Sequence, residues 1–261
     1  MKKQTVIIFT KVPIAGLVKT RLSESTPISE IESSLLAEAM LKDTIVIASK
    51  SNADLIEIGY YPEDFLANIK KIVEKVQKTN HITKPIQYYL QKGSSFDERF
   101  GSVVQESINS GNEHIVIIGA DLPYMPSTLI NSAFLYLGKK SGGNNIVIGP
   151  AGEGGIYLLG ISQDYNSEWF REYKLFTSGV EIIQFSNFCK LEGIKLHLLT
   201  PLIDIDIEDD LVSLLGFIEG LKIAENNENF HFPYYTVRVL EFLGLYIKEL
   251  EGKTRNRRIG K

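Results

Sequence analysis

Short apolar runs alternate along the chain with longer stretches in which apolar residues recur every three or four positions. Val6-Ile7-Ile8-Phe9 is apolar without interruption, the pattern of a strand buried on both faces of a parallel sheet. Comparable runs fall at 54–60, 85–91, 114–119, 145–149, 156–161 and 195–199. The run at 114–119 is strongly apolar and predicts a central strand. Between the runs lie helical signals. Ser29 and Glu32 have the spacing of a capping box, and Ile31, Leu35, Ala39 and Ile45 or Val46 carry that helix to about Ser49. Pro62-Glu63-Asp64 opens a second helix with acids in its first turn and Phe65, Ile69, Ile72, Val73 and Val76 on its inner face. Further helices are expected up to 109, over 126–137 and 178–191, and one opened by the acidic run 204–211.

Strand and helix alternate to about residue 220, which predicts an α/β fold, an open mainly parallel twisted sheet flanked by helices. Residues 1–225 read as one domain. Residues 226–261 read as a polar linker, an amphipathic helix over 233–250 and a basic tail without structure. The helix puts Val239, Leu240, Leu243, Tyr246, Ile247 and Leu250 on one face, a stripe that must pack on its own domain or on a partner, as in a homodimer.

Composition narrows the function classes. The net charge of −4 argues against a general nucleic-acid binder, and no apolar run reaches the roughly 18 residues of a membrane span. Cys189 is the lone cysteine, so no internal disulfide forms, and a buried small hydrophobe is its expected role. Met1-Lys2-Lys3 leads straight into a strand-length run rather than a signal peptide, so a cytoplasmic location is expected.

The candidate chemistry sits at strand ends, where open α/β sheets bind ligands. The first strand empties into residues 11–22, where Gly16 stands among Lys11, Lys19 and Arg21. Glycine lets backbone N–H groups approach an oxygen-rich ligand and the cations add charge, although a basic surface loop has the same composition. Asp121 follows the fourth strand, Asp204 and Asp206 follow the last, and a Gly-rich loop at 149–155 follows the fifth. Cations and carboxylates on one rim suggest a phosphate–metal site, because Mg²⁺ is commonly held by one or two carboxylates plus substrate phosphates. The loop at 16–20 is not a P-loop, since Val18 stands where that motif needs glycine. The loop at 149–155 joins two strands, so it is not a dinucleotide fingerprint.

Four ordered blocks carry a resemblance. Lys-x-Pro-x-x-Gly-x-Val-Lys-Thr-Arg-Leu at 11–22, Gly-Ala-Asp-Leu-Pro at 119–123, the Gly-rich block at 149–160 and Asp-x-Asp with its acidic sequel at 204–211 resemble the nucleotide-diphospho-sugar-transferase-like family. More loosely they resemble 2-phospho-L-lactate guanylyltransferase and the molybdenum-cofactor and sugar nucleotidyltransferases. The resemblance implies a glycosyltransferase A-type, Rossmann-like fold and a nucleotidyltransferase using Mg²⁺ or Mn²⁺, with a nucleotide and a small phosphorylated or anionic acceptor as its partners. A glycosyltransferase with a nucleotide-diphospho-sugar donor is the alternative, and a nucleotide-binding module without catalysis a third reading. On the nucleotidyltransferase reading Lys11, Lys19 and Arg21 hold the triphosphate and the leaving pyrophosphate, with Gly16 giving backbone approach. Asp121 and Asp206 hold the metal, with Asp204 as the fallback; an N-cap is the other reading of Asp206. Gly93, Arg99 and Ser102 are candidate base contacts, or an ordinary helix start. Gly152, Glu153, Gly154 and Thr177 are candidate acceptor contacts, or a plain hairpin and cap. The chain departs from the family pattern at Glu153-Gly154-Gly155-Ile156, where Asp-Gly-Gly and an aromatic are common, and at Leu175-Phe176-Thr177-Ser178, where Trp-Ser-Thr is common. It departs again at Ile207-Glu208, where Thr-Pro is common.

Overall fold

The computed structural model describes residues 3–139, 144–224, 229–249 and 257–261. Its strands are β1 (Gln4–Lys11), β2 (Leu55–Tyr61), β3 (Ile86–Leu90), β4 (His114–Gly119), β5 (Asn145–Pro150), β6 (Ile156–Ser162) and β7 (Lys195–Leu198). They form one sheet in the order β3-β2-β1-β4-β6-β5-β7. β1 pairs parallel with β2 and β4, placing Phe9 beside Gly59 on one side and Gly119 on the other. β6 runs antiparallel to both β4 and β5, while β7 is parallel to β5. The reversal at β6 follows from the short 150–155 connection, which is too brief for a parallel crossover and makes a hairpin instead.

Apolar strands with both faces covered explain the uninterrupted hydrophobic runs. Val6 and Ile8 face one core, with α2 (Glu30–Lys50), α3 (Leu66–Thr79), α5 (Ser127–Leu137) and α8 (Glu208–Ile223). Ile7 faces the other, with α4 (Phe96–Asn109) and α7 (Glu181–Glu192). Short helices α1 (Thr20–Ser25) and α6 (Trp169–Tyr173) were not signalled by periodicity, being too brief to show one. The Ser29–Glu32 capping box forms, with Ser29 Oγ accepting from Glu32 N–H and Glu32 Oε2 from Ser29 N–H at 3.0 Å. The inner stripe of α2 runs through Leu36, Met40 and Ile47, whereas Ile31 and Leu35 are exposed. Cys189 is free and buried, and burial pushes its thiol up to about 11.

The C-terminal helix is shorter than its periodicity implied. α9 spans Tyr234–Phe242, and Gly244 at φ +65 turns the chain into β8 (Tyr246–Glu249). β8 pairs antiparallel with β9 (Arg257–Gly260), so the end of the basic tail is a strand. Tyr246 and Ile247, which extended the helical stripe, therefore belong to a hairpin. The 226–229 linker falls mostly outside the described residues. α9 packs its buried residues Thr236, Val237 and Leu240 against the domain core. Asp43 on α2 accepts from Tyr235 N–H (3.2 Å), Thr236 N–H (2.8 Å) and Thr236 Oγ1 (2.7 Å), capping α9 from another element.

Candidate active site

A cleft of about 600 Å³ opens at the carboxyl ends of β1 and β4. Its rim begins where β1 releases the basic loop. Leu17 N–H donates to Ile14 carbonyl at 3.0 Å, closing a turn whose third residue, Gly16, has φ +78. That backbone favours glycine, so Gly16 shapes the turn, while Leu17, Val18 and Lys19 line the cleft. Lys19 itself has φ +50, a strained setting for a residue with a Cβ. Its side chain, only 6% exposed, lies between two carboxylates. Lys19 Nζ lies 2.7 Å from Asp121 Oδ1 and 3.7 Å from Asp206 Oδ1. Arg21 Nη1 donates to Asp206 Oδ2 at 2.7 Å.

The two carboxylates come from distant parts of the chain and are held together through the backbone. Leu202 N–H donates to Pro150 carbonyl and Ile205 N–H to Asp121 carbonyl, both at 3.0 Å, laying residues 200–206 across the ends of β5 and β4. Tyr124 Oη donates to Ile203 carbonyl (2.6 Å) and accepts from Ile203 N–H (3.1 Å), while Tyr157 Oη donates to Thr200 carbonyl (2.9 Å). Burial raises both phenols, so they stay neutral donors. Asp210 Oδ2 accepts from Asp206 and Ile207 N–H (3.0 and 2.9 Å), starting α8. Asp210, in the first turn of α8, thus satisfies these N–H groups, and the side chain of Asp206 faces Lys19 and Arg21 instead. Asp204 is half-buried and accepts from Gly152 N–H at 3.3 Å. Burial, aided by the charge of Asp121, raises its carboxyl.

The carboxylates suit a divalent cation. Asp121 and Asp206 stay 45% and 40% exposed, and both have an oxygen within 4 Å of the same ammonium, so a cation already bridges them. Two carboxylate arms opening on a cleft match the donor set of a hard cation that keeps sites for phosphate and water. Asp204 is engaged with Gly152 instead.

The other walls are aromatic and polar. Phe9, Phe96, Phe100 and Phe176 line the cleft, with ring centroids of Phe9–Phe96 and Phe96–Phe176 at 5.4 and 5.1 Å. Arg99 also lines it, its guanidinium over the Tyr61 ring at 5.3 Å and Nη1 donating to Ser94 carbonyl at 3.2 Å. Gln91 is buried, its Nε2 donating to Thr10 and Gly59 carbonyls at 2.9 and 2.8 Å. The aromatic wall and Gln91 were not among the sequence candidates. Four phenylalanines scattered over 9–176 give no local signal, and only the packing of β1 against α4 and the 174–177 turn gathers them.

Of the sequence candidates, Lys11, Lys19, Arg21, Arg99, Asp121 and Asp206 share this cleft. Gly93 and Ser102 lie instead at a separate depression. Gly93 has φ +131, and Ser102 Oγ accepts from Lys92 N–H at 2.9 Å and donates to Arg99 carbonyl at 2.8 Å. Both build the turn that launches α4. Thr177 Oγ1 donates to the buried Asp97, which also accepts from Phe176 N–H at 2.8 Å, so that pairing fixes the Phe176 wall. Gly152 touches the site through Asp204. Glu153 is exposed at φ +53, and Gly154 at φ +81 packs where a Cβ would strike Val180.

Residues 64–176 match the model of a family described as an uncharacterized protein conserved in bacteria, DUF2064. That span takes in Asp121 and the Gly-rich hairpin but neither the basic loop nor Asp206. No curated protein matches the chain. Among solved structures, a candidate nucleotide-diphospho-sugar transferase from Desulfovibrio desulfuricans is 22% identical with a TM-score of 0.74, covering 93% of this chain and 97% of its own. A cytidylyltransferase from Leptospira borgpetersenii is 11% identical with a TM-score of 0.54, covering 94% and 96%. A 4-diphosphocytidyl-2C-methyl-D-erythritol synthase from Anaerococcus prevotii is 13% identical with a TM-score of 0.55, covering 84% and 96%. The chain shares the fold of these proteins, as the four motif blocks implied.

Proposed function

We propose that the protein is a divalent-metal-dependent nucleotidyltransferase that joins a nucleoside monophosphate from an NTP to a small phosphorylated or anionic acceptor and releases pyrophosphate. The observation that carries this reading is Lys19 between Asp121 and Asp206, in a cleft that Lys11, Arg21 and Arg99 also line. Four cations beside two carboxylates suit a triphosphate together with a metal. The Leptospira protein, named a cytidylyltransferase, supports the same chemistry.

In this reading an ionised acceptor oxygen attacks the α-phosphorus, a new P–O bond forms, and the bond to the bridging oxygen breaks as pyrophosphate leaves. Negative charge grows on the bridging and equatorial oxygens, and positioned cations stabilise it. Bound Mg²⁺ or Mn²⁺ would supply Lewis-acid charge to the phosphate oxygens, held by Asp121 and Asp206. Lys19 exchanges its carboxylate partners for a phosphate oxygen, and Lys11 and Arg21 neutralise the departing pyrophosphate. The aromatic wall and Arg99 receive the base, with Thr177 holding Asp97 behind Phe176, while the hairpin of Gly152, Glu153 and Gly154, joined to Asp204, is the candidate acceptor side. Glycosyl transfer from a nucleotide-diphospho-sugar is the second reading, favoured by the name and TM-score of the Desulfovibrio protein. The test is pyrophosphate release from each of the four NTPs, with small phosphorylated acids and sugar phosphates as acceptors. Acceptor-dependent pyrophosphate with one NTP is expected. Nucleoside diphosphate release from a nucleotide sugar, without pyrophosphate from any NTP, would overturn the reading in favour of the second.

A further inference from the structure

The C-terminal strand meets the domain at two carboxylates, Glu208 and Glu32. Glu208 is 6% exposed and begins α8 two residues after Asp206. Its Oε1 accepts from Ile259 N–H at 2.9 Å and its Oε2 from Arg258 Nη1 at 2.7 Å. Lys261 donates to Glu32, which sits in the first turn of α2 and shares its carboxylate with Ser29. That ammonium, with Ser29, holds the Glu32 carboxyl down to about 2. Ile259 is buried in the larger core, and a Cβ on Gly260 would lie 2.4 Å from the Tyr246 ring. β9 is therefore seated by packing as well as by charge.

The two contacts lie on opposite arms of the site. α2 follows the segment that carries Lys19 and Arg21, and α8 follows the loop that carries Asp206. Arg21 and Asp206 join those arms at the rim of the cleft, and β9 joins them a second time through Glu208 and Glu32. Glu208 starts α8 and its carboxylate grips the C-terminal strand.

We infer that β9 is a clasp across the two arms of the site, and that Glu208 is a positioning residue that sets Asp206 through it. This rests on the metal–phosphate reading of the cleft. A carboxylate ligand is fixed by what holds its backbone, and loss of such outer partners typically weakens metal affinity about 10- to 100-fold.

The test uses the full chain, with Mg²⁺ and inorganic tripolyphosphate as probes in calorimetry and amide hydrogen exchange over 204–207 as a ligand-free readout. Glu208→Ala is expected to weaken Mg²⁺-dependent tripolyphosphate binding about tenfold, to leave Mg²⁺-free binding unchanged, and to speed exchange at Asp206 and Ile207. Arg258→Ala keeps the Ile259 bond and is expected to fall between wild type and Glu208→Ala; it also serves if Glu208→Ala does not fold. Unchanged exchange at 204–207 in both variants overturns the clasp. Faster exchange with unchanged Mg²⁺-dependent binding overturns the positioning role and leaves a structural staple. Wild-type protein that binds tripolyphosphate no better with Mg²⁺ than without overturns the metal–phosphate reading itself, and the positioning role with it; hydrogen exchange alone then decides whether the clasp exists.

Discussion

The Asp121 carbonyl accepts a hydrogen bond from Ile205 N–H at 3.0 Å. Two segments more than eighty residues apart are thereby joined, and their carboxylates arrive on one rim. Lys19 closes the arrangement from a third segment, with its ammonium within 4 Å of both Asp121 and Asp206. The two carboxylate segments are placed by backbone contacts, and the third is tied to them by Lys19 and Arg21.

Lys19 combines a charge with a left-handed backbone, and two substitutions separate them. Lys19→Ala removes the ammonium but keeps a Cβ at φ +50. Lys19→Gly removes both. Each should cut turnover on the order of 10²- to 10³-fold, as loss of one charge-stabilising donor does. The Gly variant should be more stable than the Ala variant by about 1 kcal/mol, because only it relieves the backbone. Steady-state pyrophosphate release and thermal melts check the pair. Wild-type turnover in either would remove Lys19 from the mechanism.

Tyr124 offers a test of the loop that carries Asp204 and Asp206. Its hydroxyl both donates to and accepts from Ile203, and Tyr124→Phe removes the two bonds while keeping the ring that packs against Phe217 at 5.1 Å. The variant should lose about 1–2 kcal/mol in denaturant unfolding, since it leaves backbone groups without their partner. It should also need more Mg²⁺ for half-maximal activity, with KM for the nucleotide less affected. An unchanged Mg²⁺ dependence would separate this tyrosine from the site.

Much of this was legible in the sequence, for identifiable reasons. Buried parallel strands have no exposed face, so β1 and β4 stand out as unbroken apolar runs. Ser29 and Glu32 specify a local hydrogen-bond pattern, and the structure contains it. Lys11, Lys19, Arg21, Asp121 and Asp206 stand at strand ends, where the topology of an open sheet gathers residues from afar. The C-terminal hairpin was not legible, because Tyr246 and Ile247 continue a helical stripe by spacing while Gly244 breaks it by backbone. The cap of α9 by Asp43, like the seat of β9 on Glu208, is a long-range contact with no local spacing to betray it.

Gly93 precedes α4 with φ +131, and a Cβ there would stand 2.4 Å from Glu98 Cβ and 3.1 Å from Arg99 N. Both of those atoms belong to the first turn of a helix whose capping box uses Ser95 and Glu98. Gly93→Ala should therefore destabilise by roughly 1–3 kcal/mol, as residues forced into such backbone regions do. It should also disturb Arg99, whose guanidinium lies over Tyr61. A melt indistinguishable from wild type would show that the turn can rearrange without cost.

Glu57 makes a pH prediction away from the cleft. It lies on β2, fully buried, with Oε1 accepting from Asn112 Nδ2 at 2.7 Å. Among the described residues Glu57 Oε2 and Asn112 Oδ1 have no partner. Burial raises its carboxyl above the ordinary 4.5, outweighing the hydrogen bonds from Ser107 and Asn112 that favour the charged form. The folded protein thus holds this proton more tightly than the unfolded chain. The stabilisation that protonated Glu57 gives is fully present below about 4.5 and is lost as pH rises through the raised folded value. Glu57→Gln keeps the shape and an acceptor for Asn112, adds a donor, and carries no charge at any pH. At pH 7 it should be more stable than wild type by on the order of 1 kcal/mol. The advantage should shrink on acidification and vanish below about 4.5, where wild-type Glu57 is itself neutral. Melts of both proteins from pH 4 to 8 check this. A gap that stays constant across the range would mean that the ionisation of Glu57 plays no part in stability.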